Sequence, residues 1–282
     1  MNEQVISFGE QNQLHGILTN PDNINPELPT ILFWNAGLVH KFGVHRIHVN
    51  LARRLAQLGF SSIRFDLAGL GDSPNIKTAA SYEENVVLNI QQAIDFANHQ
   101  NGATQAVLIG FCSGALNAHD TITQDSRIRG AVFIDSYAYR TTKFYWLFIL
   151  KLLTSWKWLG AIKRRLIRLF RAPQTGESAI PIEWEFPPKK RVVDDLHSFV
   201  QREIKMYFIY TSDMPKDYNY KNQFFDMFSG IDFNGLLTLD YYSKTDHLFT
   251  PLAQKTQLAA GIINWLENNF LEVTQKNSYK NH

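Results

Sequence analysis

Eight short runs of apolar and β-branched residues punctuate this chain, and most gaps between them carry the periodicity of amphipathic helices. The runs are "VISF", "LHGILT", "TILFWN", "SSIRFD", "AVLIGF", "GAVFID", "MYFIYT" and "LLTLDY". Few architectures satisfy such an alternation, and the simplest is a mostly parallel sheet with helices packed on both faces. The first two runs have no helical pattern between them, so they are expected to form an antiparallel hairpin at one edge. The helical patterns are "HRIHVNLARRLAQLG", "YEENVVLNIQQAIDFANHQ", "GALNAHDTIT" and "PLAQKTQLAAGIINWLENNF". With 282 residues, the chain can bury one large core, whole or interrupted by an insertion.

The alternation breaks between Tyr137 and Met206. An aromatic run "FYWLFILKLLTSWKWLG" comes first, followed by a basic helical pattern "IKRRLIRLFR" and then "APQTGESAIPIEWEFPP". One more amphipathic helix, "RVVDDLHSFVQREI", precedes the return of strands. An insertion here would sit over the C-terminal strand ends, where open α/β sheets bind ligands. The expected division is a core of 1–136 and 205–282 with a helical cap at 137–204.

"QAVLIGFCSGALNA" reads as strand, tight turn and helix. Its "GFCSG" has the glycine spacing of a nucleophile elbow, in which the central residue occupies a strained turn and small neighbours let the backbone pass. That register presents Cys112, with Gly110 and Gly114 supplying room, and leaves Ser113 to offer its backbone N–H to an oxyanion. A thiol at a helix N-terminus is favoured as a nucleophile by the helix dipole and the free N–H groups. The competing interpretation is a buried structural cysteine on a glycine turn.

A thiol nucleophile needs a base, and the base needs an orienting carboxylate. "LDYYSKTDHLFTP" places His247 after the last strand pattern and before the final helix; no other of the nine histidines is so placed. "MYFIYTSD" ends the preceding strand pattern with Asp213, while "AVFIDSY" ends an earlier one with Asp135, which could reach the same imidazole. Asp246, beside His247, is expected to face away. The second oxyanion donor should come from "NAGLVHKFGVHR", at Gly37 or its neighbour. His45 and Arg46 in that loop either cap the next helix or contact substrate. Asp66, Gly69, Gly71 and Ser73 in "RFDLAGLGDS" are suited to holding a loop's shape.

"RFDLAGLGDS", "GFCSG", the late "SD" and "DHLF" together resemble the α/β-hydrolase superfamily, from about residue 5 to 270. The resemblance implies an α/β-hydrolase fold, with a mostly parallel eight-stranded sheet, helices on both faces and a helical cap. It also implies the chain order nucleophile, acid, histidine, which favours Asp213 over Asp135 as the acid. Within the superfamily, "NAGLVHKFGVHR" and the cysteine elbow resemble the exosortase A system-associated hydrolases, linked to bacterial exopolysaccharide and surface-protein sorting. The residue after the nucleophile is often acidic in that subfamily, whereas here it is Ser113. Dienelactone hydrolases share the cysteine elbow but lack a large cap of this kind.

The implied activity is hydrolysis of an ester or thioester by Cys112, His247 and Asp213, with Ser113 and Gly37 holding the oxyanion. Acyl transfer through the same thiol is a neighbouring alternative. A non-catalytic module that binds lipid or a partner through its cap is a more distant one. No metal or organic cofactor is implied, and a single cysteine excludes an internal disulfide and a multi-cysteine metal cluster.

Net charge is +2, which gives no global nucleic-acid footprint. From Thr141 to Arg171, however, there are eight Lys or Arg and no Asp or Glu, leaving 20 basic against 26 acidic residues elsewhere. Arg164, Arg165, Arg168 and Arg171 lie largely opposite Ile162, Leu166, Leu169 and Phe170. This helix is expected either to pack on the core with a solvated basic face, or to meet anionic lipid or gate a lipid-like substrate with an anionic head. The implied partner is a small or lipid-like acyl substrate, with peripheral contact to an anionic membrane through 141–171. The N-terminus lacks a signal-peptide pattern, and the lone cysteine fits a reducing compartment. The expected location is therefore cytoplasmic, peripheral at the inner membrane if the cap binds lipid.

Overall fold

The computed structural model describes residues 1–75, 79–154, 186–214 and 216–271. Eight strands form one sheet: β1 Asn2–Phe8, β2 Leu14–Asn20, β3 Thr30–Phe33, β4 Ser62–Phe65, β5 Ala106–Phe111, β6 Ile128–Ile134, β7 Lys205–Thr211 and β8 Leu237–Tyr242. Their order is β1-β2-β4-β3-β5-β6-β7-β8. The β1–β2 and β2–β4 pairs are antiparallel, and every later pair is parallel. All eight apolar runs of the sequence become strands.

The period-two pattern explains the layering. In β5, Ala106 and Leu108 face one core, while Val107, Ile109 and Phe111 face the other. In β6, Ala131 and Phe133 are divided from Val132 and Ile134 in the same way. Helices α1 (Ile47–Gln57) and α7 (Leu252–Leu266) cover the second face through Leu51, Leu55, Leu258 and Ile262. The first face is covered by α2 (Tyr82–Asn101) and α3 (Ser113–Gln124), through Ile90, Ile94, Ala118 and Ile122. Helix α2 starts at a reciprocal cap between Ser81 and Glu84 and stops at Gly102, whose φ is +70°.

After β6 come α4 (Thr142–Thr154) and α5 (Lys189–Gln201), and a short α6 (Gln223–Met227) follows β7. The basic pattern at 162–171 and the stretch to 185 lie outside the described residues. The sequence division placed everything from 137 to 204 in a cap, and α5 corrects it. Val192, Leu196 and Phe199 are fully buried in the same core as α2 and α3. Spaced four and three residues apart, they form one helical stripe against the sheet. His119 of α3 also hydrogen-bonds Asp195 at 3.0 Å. Helix α5 is therefore the crossover from β6 to β7, and the core resumes at 189 instead of 205.

Candidate active site

The parallel ladder continues one residue past two strand ends. Cys112 donates its N–H to the Ile134 carbonyl and Asp135 donates its own to the Ile209 carbonyl, each at 2.8 Å. Cys112 after β5 and Asp135 after β6 are therefore held side by side on neighbouring strands. Both backbones are in the left-handed region, with φ +51° at Cys112 and +46° at Asp135. Non-glycine residues adopt this only when the surroundings enforce it.

At Cys112 the surroundings are the two glycines. A Cβ at Gly110 would stand 2.4 Å from the Gly114 carbonyl oxygen, and one at Gly114 would stand 3.0 Å from the Asn35 carbonyl oxygen. The tight approach lets α3 begin immediately after the strand. Ser113, opening α3, carries one of the first-turn N–H groups for which a helix supplies no acceptor of its own.

The imidazole of His247 belongs to Asp135, not to Asp213. His247 Nδ1 lies 2.6 Å from Asp135 Oδ2. Asp135 is fully buried at its side chain and accepts further bonds from the Thr211 N–H and hydroxyl, both at 2.7 Å. Asp213 instead accepts the backbone N–H of His247 at 2.8 Å, fixing the loop and not the ring. This corrects the chain-order expectation, and strand adjacency is the reason. β6 lies between β5 and β7, so an acid ending β6 stands next to Cys112. Asp213 lies two residues beyond the end of β7.

The Asp135 carboxylate beside it, then the Cys112 thiol, push His247 up to about 10 against the opposing effect of burial. The ring is therefore an imidazolium at neutral pH, shared between the acid and the sulfur. Asp246 does turn elsewhere, accepting the N–H groups of Leu248 and Thr250 at 3.0 Å each. Ser212 N–H and hydroxyl bond the Thr245 carbonyl at 3.1 and 2.8 Å, which ties the β7 loop to the loop bearing His247.

A cleft of about 320 Å³ opens here, lined by Cys112, Ser113, Leu116, Asp135, Ser136, Phe186, Asp213, Met214 and His247. Gly37 is absent from that wall, and its N–H donates to the Ser113 hydroxyl at 2.9 Å. The expected second oxyanion donor is thus engaged, and a developing oxyanion would have to displace that hydroxyl to reach it. The loop carrying Gly37 is held by a buried network. Asp66 accepts Asn35 Nδ2 and Lys41 N–H at 2.8 Å each, and Lys41 Nζ at 2.6 Å. A Cβ at Gly71 would collide with that carboxylate at 2.3 Å. His45 and Arg46 are exposed and absent from the cleft wall; with φ of +49° and +60° they form the turn into α1.

Sequence reasoning missed Thr211, which holds the acid, and Leu116, Ser136, Phe186 and Met214, which shape the cleft. Only Thr211 carried a usable signal, as a β-branched hydroxyl ending the strand beside the acid.

With aryl esters or thioesters as reporters, Asp135→Asn should lower kcat/KM on the order of a hundredfold or more, as loss of an orienting carboxylate does. Asp213→Asn keeps an oxygen to accept the His247 N–H and should cost less than about tenfold. Steady-state kinetics of the two purified variants check the ranking.

A family described as serine aminopeptidase, S33, matches residues 38–175, slightly under half of the chain and inclusive of Cys112 and Asp135. No curated protein sequence matches significantly. Among solved structures, an α/β serine hydrolase without lid from Xanthomonas campestris is 14% identical with a TM-score of 0.57, covering 96% of each chain. A meta-cleavage product hydrolase from Pseudomonas fluorescens IP01 is also 14% identical at 0.57, covering 94% of this chain and 97% of that one. An esterase from Pyrococcus furiosus is 15% identical at 0.57, covering 95% and 90%. Architecture, elbow and these likenesses agree: the chain has the α/β-hydrolase fold, with Cys112 at the elbow where two of the matching names specify a serine enzyme.

Proposed function

We propose that the protein is a hydrolase of carboxylic esters or thioesters that works through a Cys112–His247–Asp135 triad. The observation that carries this reading is the imidazole of His247, shared between a thiol on a strained elbow and a buried acid.

In the proposed reaction, Cys112 Sγ attacks the carbonyl carbon as the thiolate partner of the His247 imidazolium. The oxyanion so formed is met by the Ser113 N–H at the start of α3. His247 then gives its proton to the leaving oxygen or sulfur, the bond to that atom breaks, and an acyl-Cys112 thioester remains. The neutral imidazole takes a proton from a water molecule as the water oxygen attacks. Collapse breaks the C–S bond, releases the carboxylic acid and restores the ion pair. Asp135 keeps Nδ1 protonated throughout, leaving Nε2 to carry the mobile proton. The hydrolase and esterase names among the similar structures support this class of reaction. The likeness of the elbow and the Gly37 loop to exosortase A system-associated hydrolases supports a place in bacterial exopolysaccharide- or exosortase-linked metabolism.

Cys112→Ala should lower turnover of ester and thioester substrates on the order of a thousandfold or more, while Ser113→Ala, which keeps its N–H, should lose less than about tenfold. A dead Ser113→Ala beside an active Cys112→Ala would move the nucleophile to Ser113 and retire the mechanism.

A second proposal concerns α4. Tyr145, Trp146, Phe148, Ile149, Leu150, Leu152 and Leu153 are all exposed, Trp146 by 71% and Leu153 by 69%. An apolar surface of this kind marks an interaction site. Lys143 and Lys151 lie within α4, and the run 141–171 contains no acid. We propose that α4 lies in the surface of an anionic membrane. No helix among the described residues is long and apolar enough to cross one. Each basic group near such a surface contributes about 1 kcal/mol. The protein should co-sediment with phosphatidylcholine–phosphatidylglycerol vesicles at low salt and leave them at high salt. Replacing Trp146, Leu150 and Leu153 with Ser should weaken that binding. Equal behaviour on phosphatidylcholine alone, or no binding to either, would refute lipid contact.

A further inference from the structure

The reaction above gives the oxyanion a single donor, the Ser113 N–H, because Gly37 is absent from the cleft wall. The turn that carries Gly37 is fixed by its surroundings. The Val39 N–H donates to the Ala36 carbonyl at 3.0 Å, and Asn35 Nδ2 donates to the Val39 carbonyl at 3.1 Å. Asn35 is itself buried, bonded through Nδ2 to Asp66 at 2.8 Å and through Oδ1 to the Leu67 N–H at 2.7 Å. A turn so anchored keeps the Gly37 N–H on one target, the Ser113 hydroxyl at 2.9 Å.

A serine hydroxyl has one proton and two lone pairs. The Gly37 N–H occupies a lone pair, so the hydroxyl proton must point elsewhere and is left to donate. Ser113 lines the cleft beside Cys112 and opens α3, where the helix dipole favours negative charge. A hydroxyl that accepts from an amide is a better donor in its turn, because chained hydrogen bonds polarise one another. The N–H and the hydroxyl of one serine are separated by Cα and Cβ alone, close enough to bind a single oxygen together.

We propose that the Ser113 hydroxyl, held by the Gly37 N–H, is the second donor to the oxyanion, so that Gly37 acts through this hydroxyl and not by direct contact. The assignment deepens the hydrolytic reading and rests on it for the oxyanion itself.

The test separates oxyanion binding from thiol reactivity. Hexyl trifluoromethyl ketone accepts the Cys112 thiolate at its carbonyl carbon. The C–S bond forms, the carbonyl π pair moves to oxygen, nothing leaves, and the oxyanion stays in the site. Iodoacetamide alkylates the same sulfur by loss of iodide and forms no oxyanion. Ser113→Ala should weaken ketone binding and lower kcat on an aryl ester by about fivefold each, with KM and the alkylation rate within about twofold of wild type. Ser113→Gly removes the hydroxyl a second way and should match, which keeps the test decisive if the alanine variant does not fold. Ser113→Thr restores a hydroxyl and should recover ketone affinity. Unchanged or tighter ketone binding in Ser113→Ala, an equal loss of alkylation, or no recovery in Ser113→Thr would overturn the donor. A wild-type protein that captures the ketone yet turns over no ester would sink the hydrolytic reading and leave the donor standing. An active esterase indifferent to the hydroxyl would do the reverse.

Discussion

The Asp135 carboxylate is the group around which the site is built. It is wholly buried and carries three hydrogen bonds, two from Thr211 and one from His247. A buried carboxylate is costly unless its lone pairs are satisfied, and removing a partner leaves most of that cost exposed. The three bonds therefore lock together the ends of β6 and β7 and the loop after β8. Together with the Ser212–Thr245 and Asp213–His247 bonds, they fix the loop that carries His247 at the strand ends beside Cys112. The positive φ at Asp135 is the strain that this arrangement holds in place.

The elbow supplies the complementary constraint. Cys112 is forced into a left-handed backbone because strand and helix meet with almost no space between them: a Cβ added at Gly110 would stand only 2.4 Å from the Gly114 carbonyl oxygen. The strained backbone presents the thiol and, one residue on, sets the Ser113 N–H at the start of α3. The bond from Gly37 N–H to the Ser113 hydroxyl fits the same economy. In the resting site, the Ser113 hydroxyl accepts from a donor that would otherwise stay unpaired until an oxyanion formed.

Much of this was legible in the sequence because it is local. Period-two runs specify strands and their two faces, and the glycine spacing of "GFCSG" specifies the elbow with Cys112 at its centre. His247 was legible from its place between the last strand and the last helix. The acid was not, because the choice between Asp135 and Asp213 depends on which strands are neighbours, and lateral order is not written in any one segment. The physical sign available was composition: Asp135 directly ends the apolar run "AVFI", where an acid must be buried and paired, whereas Asp213 sits in the polar "TSDMPKD". Helix α5 was legible as amphipathic, but its stripe of Val192, Leu196 and Phe199 does not say whether it covers the sheet or a cap. The Ser113–Gly37 bond is a product of three-dimensional placement and leaves no trace in spacing.

The central claim is that Asp135 governs the charge of His247, and the ring's own titration tests it most directly. An unperturbed histidine titrates near 6.5, and in the folded protein Asp135 and then Cys112 push His247 up to about 10. Because the folded value is raised, the stabilisation from the imidazolium is complete below about 6.5 and is lost as pH climbs toward about 10. Following the His247 ring protons by NMR from pH 5 to pH 11 should give a midpoint near 10 in the wild-type protein. That midpoint should fall by units in Asp135→Asn and stay within about one unit in Asp213→Asn. A wild-type midpoint near 6.5, or a fall caused by Asp213→Asn and not by Asp135→Asn, would contradict the account.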